Sequence, residues 1–154
     1  MSKKYEVGLL QREDFEWCAE VAAVRMLTEE VGRPELIDIP TIYLIMEKMY
    51  QDKSAVVAKV SGEHAGVIGG YLHPSIFNPE YATMAELIWY VLPEYRNTRV
   101  GAMVLSEFNK ISEESPAHEV TLSLLRTSPI NKNTLEKRGF LMEEMAFRKV
   151  LKEF

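Results

Sequence analysis

Between Ala55 and Leu92 three segments of strand character follow one another without a helical stretch between them, and this run constrains the fold more than any other feature. Ala55 to Val60 and Ala65 to Leu72 are short, apolar and rich in β-branched residues. Ser61-Gly62-Glu63-His64 joins them in the manner of a hairpin, which makes His64 an exposed turn residue. Thr83 to Leu92 is the third strand. Segments of helical period lie on both sides of the run. Phe15, Cys18, Ala19, Ala22 and Met26 share a face over Asp14 to Val31, ended by Gly32 and Arg33-Pro34. Pro40 opens a second helix, whose Ile42, Ile45, Met46 and Met49 follow the i, i+3, i+4, i+7 rule. After the strands, Val100, Val104, Phe108 and Ile111 mark a third helix, closed by Ser115-Pro116. Tyr5 to Leu10 gives an opening strand and Glu119 to Leu125 a later one. A short helix follows at about Asn131 to Arg138, capped by Gly139, and Leu141 to Leu151 gives a final strand. The order β, α, α, β, β, β, α, β, α, β calls for an α+β fold: a mixed, mostly antiparallel sheet flanked by helices, not a sandwich or a bundle.

The 154 residues form one domain, 1–154, without repeats or linkers, and a domain of this size buries about 70% of the surface of its unfolded chain. Hydrophobic residues at 47% and charged residues at 27% exclude a disordered chain. Cys18 is the single cysteine, so no intrachain disulfide exists, and its apolar helical setting reads as a small buried hydrophobe. The opening Met-Ser-Lys-Lys-Tyr lacks the apolar stretch of a signal peptide, and no window is long and apolar enough to span a bilayer. The expected place is the cytoplasm, with no membrane partner. A net charge of −5 disfavours nucleic acid and favours cationic substrates. None of the three histidines has metal-ligand spacing, so no metal is expected.

Chemistry concentrates at Leu87-Ile88-Trp89-Tyr90-Val91-Leu92-Pro93-Glu94-Tyr95-Arg96-Asn97-Thr98-Arg99-Val100-Gly101-Ala102, a strand that turns directly into a helix. The first N–H groups of a helix lack internal partners and sit at the positive end of its dipole, so an anionic diphosphate is held well there. Gly101 lets the backbone come close to it.

This segment resembles the acetyl-CoA signature of the GNAT superfamily of N-acetyltransferases, Arg/Gln-x-x-Gly-x-Gly/Ala, with Arg96 and Gly101 in register and Ala102 directly after them. Leu135-Glu136-Lys137-Arg138-Gly139-Phe140 is similar to the family's second signature, and Gly139 follows Gly101 by 38 residues. The resemblance implies the acyl-CoA N-acyltransferase fold and acetyl-CoA as cosubstrate without a metal. It implies transfer of an acetyl group to a primary amine of a small molecule or protein, and it allows a homodimer. The implied cofactor contacts are Trp89, Tyr90 and Val91 through main chain, then Arg96, Asn97, Thr98, Arg99, Val100, Gly101 and Ala102, and Ser128. Arg99 stands where the signature carries glycine, and its guanidinium there is able to pair with a phosphate. Ser128 and Leu135 occupy the family's asparagine and tyrosine positions, so the usual tyrosine general acid is missing. Members similar to the ribosomal-protein and spermidine acetyltransferases also read Leu-Glu-Lys at this place.

Glu86 is the first candidate for the base, because it lies on the strand that meets the cofactor and its Ala-Glu-aliphatic setting resembles the catalytic glutamate of histone-modifying members. Tyr90 is the catalytic acid candidate, with Tyr95 beside it. His73 and His118 read as loop and strand-end residues. Against the enzyme stands a non-catalytic acyl-CoA-binding regulatory module, kept open by Leu135 and Arg99.

Overall fold

The structure, a computed structural model, describes residues 2–154. Five strands lie in sequence order, β1 (Tyr5–Leu9), β2 (Ala55–Val60), β3 (Glu63–Pro74), β4 (Ala82–Val91) and β5 (Glu119–Thr121). The first four pair antiparallel, and β5 joins β4 in parallel after the crossover through a helix. The helices are α1 (residues 15–30), α2 (Ile39–Asp52), α3 (Val100–Glu114) and the short α4 (Lys132–Glu136). α1 contains wide, π-type turns over Cys18–Ala23 and Met26–Glu30, the latter closed by Val31 N–H on Met26 O at 2.9 Å.

The sheet separates two cores. On one face Cys18, Ala19 and Ala22 of α1 and Met46 and Met49 of α2 cover Val57, Val67, Ile88 and Tyr90. On the other, Val104 and Phe108 of α3 pack on Val56, Ala58, Ile68 and Met84, and Leu135 and Phe140 join them. Burial pushes the Cys18 thiol up, in keeping with an inert hydrophobe. Among the described residues no helix is long and apolar enough to cross a membrane.

One irregularity places the site. The β3–β4 register runs Gly69↔Ile88 and then Gly70↔Glu86, so β4 carries Leu87 as an extra residue, a bulge. Met84 before it packs toward α3, whereas Ile88 and Tyr90 after it pack toward α1 and α2. Gly70 allows this crowding: a Cβ there would sit 2.5 Å from Ala85 O.

Three expectations change. His64 belongs to β3 and is half-buried: the turn closes on Ser61 and Gly62, both at positive φ, which brings the imidazole inward. Its Nε2 lies 2.8 Å from Asp14 Oδ1, and its ring stacks on Trp17. β5 stops at Thr121, short of Leu125. Residues 141–151 form no strand and are exposed throughout, because an edge strand of three residues offers too few main-chain groups to template one.

Candidate active site

β4 and β5 are paired at Thr83↔Glu119, Met84↔Val120 and Ala85↔Thr121, and there the pairing ends. Past this point the strands part around a cavity of about 420 Å3, within the range of small-molecule sites. Glu86, Leu87, Trp89 and Val91 of β4 form one wall, and Thr98, Gly101 and Ala102 at the start of α3 another. Met26 and Glu30 close it from α1, and Ser123, Ser128, Thr134 and Arg138 from the segment after β5.

Glu86 is the first residue beyond the last β4–β5 pair. Its carboxyl is pushed up to about 7, chiefly by burial, against a lowering main-chain hydrogen bond from Ser123 and with a further upward push from the Glu30 charge. A carboxylate titrating near neutrality in a cleft is matched to proton transfer at ordinary pH.

The junction after β4 is built as an anion cradle. A turn at Pro93–Tyr95 precedes α3, and the Thr98 hydroxyl donates to Tyr95 O at 2.6 Å while accepting from Val100 N–H at 3.3 Å. Met103 N–H bonds back to Arg99 O, which leaves Gly101 and Ala102 in the first turn, where helix N–H groups lack an intrahelical acceptor. A Cβ on Gly101 would meet no atom within 4 Å, so this backbone is open to a ligand. The Trp89 Nε1 donor is buried without a partner among the described residues. Unpaired β4 main chain and an open helix start together fit an elongated anionic ligand carrying amides, such as CoA.

Several expected residues sit differently. Arg96 borders the cavity, but its Nε donates to Val91 O at 3.0 Å and its Nη2 to Glu30 Oε1 at 3.1 Å. Arg99 is exposed, stacks on the Tyr5 ring at 4.2 Å and does not line the cavity. Asn97 is exposed outside the lining, and the Val100 side chain is buried under the sheet. Ser128 does line it, with Oγ accepting from Ile130 N–H.

Tyr90 is the main correction. The bulge at Leu87 turns it to the α1 face, 1% exposed, where its hydroxyl donates to Glu29 Oε2 at 2.9 Å. Burial and that bond push its hydroxyl up to about 12. It is a core residue outside the cavity. Leu135 is likewise buried, Tyr95 packs against the α3 core, and His73 and His118 stack on Tyr71 and Tyr81 away from the cleft. Glu30, Ser123 and Thr134 reach the site without any signal in the sequence, and Arg138, which stands in the second signature, was not expected there, since only the fold brings α1, the post-β5 segment and α4 together.

A sequence model described as the acetyltransferase (GNAT) family matches residues 13–140. Among solved structures the chain is similar to a possible acetyltransferase from Clostridium difficile 630, with TM-score 0.68, 16% identity and 97% of each chain covered. It is similar to a ribosomal-protein-alanine N-acetyltransferase from Brucella melitensis biovar Abortus 2308, with TM-score 0.66, 17% identity and 97% and 100% covered. A predicted acetyltransferase from Clostridium acetobutylicum, solved with acetyl-CoA, gives TM-score 0.71 at 14% identity, with 97% and 96% covered. No curated protein matches the chain by sequence.

Proposed function

Since the chain belongs to the acetyltransferase (GNAT) family, we propose that it uses acetyl-CoA to acetylate a primary amine of a small molecule or protein, with Glu86 as the general base. One observation carries this reading: the parallel ladder ends at Ala85↔Thr121, and the fork that results holds Glu86, open β4 main chain and the start of α3 around one cavity.

Acetyl-CoA supplies an acyl group already activated as a thioester. What falls to the protein is to hold the amine in line, to polarise the carbonyl with a main-chain N–H, and to remove a proton. For an amine of pKa near 10.4, the neutral nucleophile at pH 7 costs about 4.6 kcal/mol. Glu86, held at about 7, accepts that proton in the cleft itself. The pyrophosphate would be held by the main chain of Gly101 and Ala102, and the pantetheine arm by Trp89 to Val91. With Leu135 and Tyr90 both in the core, no tyrosine lines the cavity among the described residues. A thiol of pKa about 8.5 leaves adequately as the thiolate and can be protonated by water. That same gap supports a second reading, a non-catalytic acyl-CoA-binding regulatory module.

Calorimetric titration with CoA and acetyl-CoA, followed by thiol release over a panel of primary amines, separates the readings. Binding with turnover supports the enzyme, and binding without turnover the module. No binding at millimolar concentration removes both. Gly101→Val should weaken CoA about tenfold or more by filling the cradle, without loss of melting temperature, because a Cβ there meets nothing outside its own helix within 4 Å and glycine is itself unfavourable in a helix.

A further inference from the structure

Glu30 occupies an unusual position. It ends α1, its side chain is 14% exposed, and it lines the cavity that holds Glu86. Its carboxylate takes the Arg96 guanidinium at 3.1 Å, and its main-chain O takes the Thr127 hydroxyl at 2.7 Å. One residue therefore joins three segments that border the cleft: the end of α1, the turn that follows β4 and the loop that follows β5. Arg96 is further held by Val91 O and lies over the Tyr90 ring at 5.4 Å, so its charge is committed to protein partners.

We propose that Glu30 is a positioning residue for acyl transfer: it holds and neutralises Arg96 after the turn that follows β4 and so keeps an unpaired cation out of the cleft near Glu86, which leaves this end of the cleft suited to a cationic amine. The inference rests on the acyltransfer reading above. Two consequences follow. The anionic donor is bound by the main chain at the start of α3 and not by the Arg96 guanidinium, although Arg96 is the signature residue. The proton affinity of Glu86 is set in part from across the cleft.

The groups facing Glu86 are few. From the segment after β5 comes the Ser123 N–H, which favours the carboxylate, and from α1 comes Glu30, which disfavours it. Arg96 after β4 and Arg138 after α4 border the same cavity. Arg96 is paired with Glu30, and the Arg138 guanidinium donates to Ser106 Oγ at 2.8 Å. Glu29, the neighbour of Glu30, faces Arg25 and Tyr90 instead. Loss of the Glu30 charge thus leaves the cleft with a net cation at Arg96 and one repulsion fewer on Glu86.

Glu30→Gln tests this, because glutamine keeps an oxygen for Arg96 Nη2 while deleting the charge. Two readouts need no turnover. In a 13C-carboxyl NMR titration of the full chain, Glu86 should titrate near 7 in the parent and at lower pH in Glu30→Gln. In calorimetry, CoA should bind Glu30→Gln more tightly by about three- to tenfold, as expected when one negative charge is removed near a polyanion. Glu30→Asp keeps the charge, so both readouts should stay near the parent, and it serves as the folded control. A Glu86 midpoint that does not move, or CoA bound more weakly by Glu30→Gln, overturns the proposal. A merely structural Glu30 would give that second pattern, with a lowered melting temperature in both variants. If the parent binds no CoA, the acyltransfer reading fails, while the Glu86 titration still decides whether Glu30 acts on it.

Discussion

The two halves of β4 differ in one respect. From Thr83 to Ala85 the strand has β3 on one side and β5 on the other, whereas beyond Ala85 β5 is gone. The paired half is sheet and core. The unpaired half has free main-chain groups, a cavity and a carboxylate raised toward neutrality. A ladder that stops early, with a bulge placed at the stopping point, turns ordinary strand into an open edge lined by a cavity.

The sharpest way to break this comparison is Glu86→Gln, at the boundary of the two halves. Removal of a positioned base should slow acetylation at neutral pH by about 10²- to 10⁴-fold. The deficit should shrink as pH approaches the pKa of the amine. Stability should respond in the opposite sense. With the folded carboxyl near 7 and its ordinary value at 4.5, the folded state binds more protons between these values, so stability falls as pH rises through that window. Glutamine removes that slope. The variant should therefore melt higher than the parent at pH 8, and its advantage should vanish near pH 4.5. A variant that melts lower at pH 8, with a rate within a few-fold of the parent, would make Glu86 structural.

Gly70→Ala acts on the bulge that separates the halves. Its Cβ would lie 2.5 Å from Ala85 O and 3.1 Å from Phe108 Cζ, and backbone cannot yield as a flexible side chain does. Chemical denaturation should show a loss of about 1–3 kcal/mol, typical of overpacking. The acetylation rate should fall as well, because the register that delivers Glu86 shifts.

The smallest effect belongs to Tyr90→Phe, in the unpaired half but on its core face. It deletes the hydrogen bond to Glu29, which should cost about 1 kcal/mol in denaturation experiments and leave the rate within a few-fold of the parent. A hundredfold loss of rate would return Tyr90 to the cleft as an acid.

The fold was legible in outline because periodicity reports burial directly. Strands at Ala55 to Val60 and Thr83 to Leu92, and the helix faces of Ile42, Met46 and Met49 and of Val104 and Phe108, lie where the pattern puts them. The strand at Leu141 to Leu151 has the same apolar pattern, but a strand also requires a partner, and pattern alone does not supply one.

The site was legible where it is local. A strand ending in a turn and a helix start with Gly101 are consecutive residues, so their chemistry can be read from spacing. Glu86 was singled out by its place on that strand and by the Ala-Glu-aliphatic resemblance, and the structure puts it on the cavity wall. What the sequence by itself determined is therefore the layered sheet, the helix start open to an anion, and the carboxylate beside it. Only the tertiary structure decided which face each side chain meets. A one-residue bulge reverses the alternation after Leu87 and sends Tyr90 into the core, and Glu86 is acted on by burial, by the Ser123 main-chain N–H and by the Glu30 charge, from residues far apart in the chain. Alternation is a local rule, whereas electrostatics acts through space, so a candidate carboxylate on β4 was within reach of the sequence and the surroundings that set its proton affinity were not.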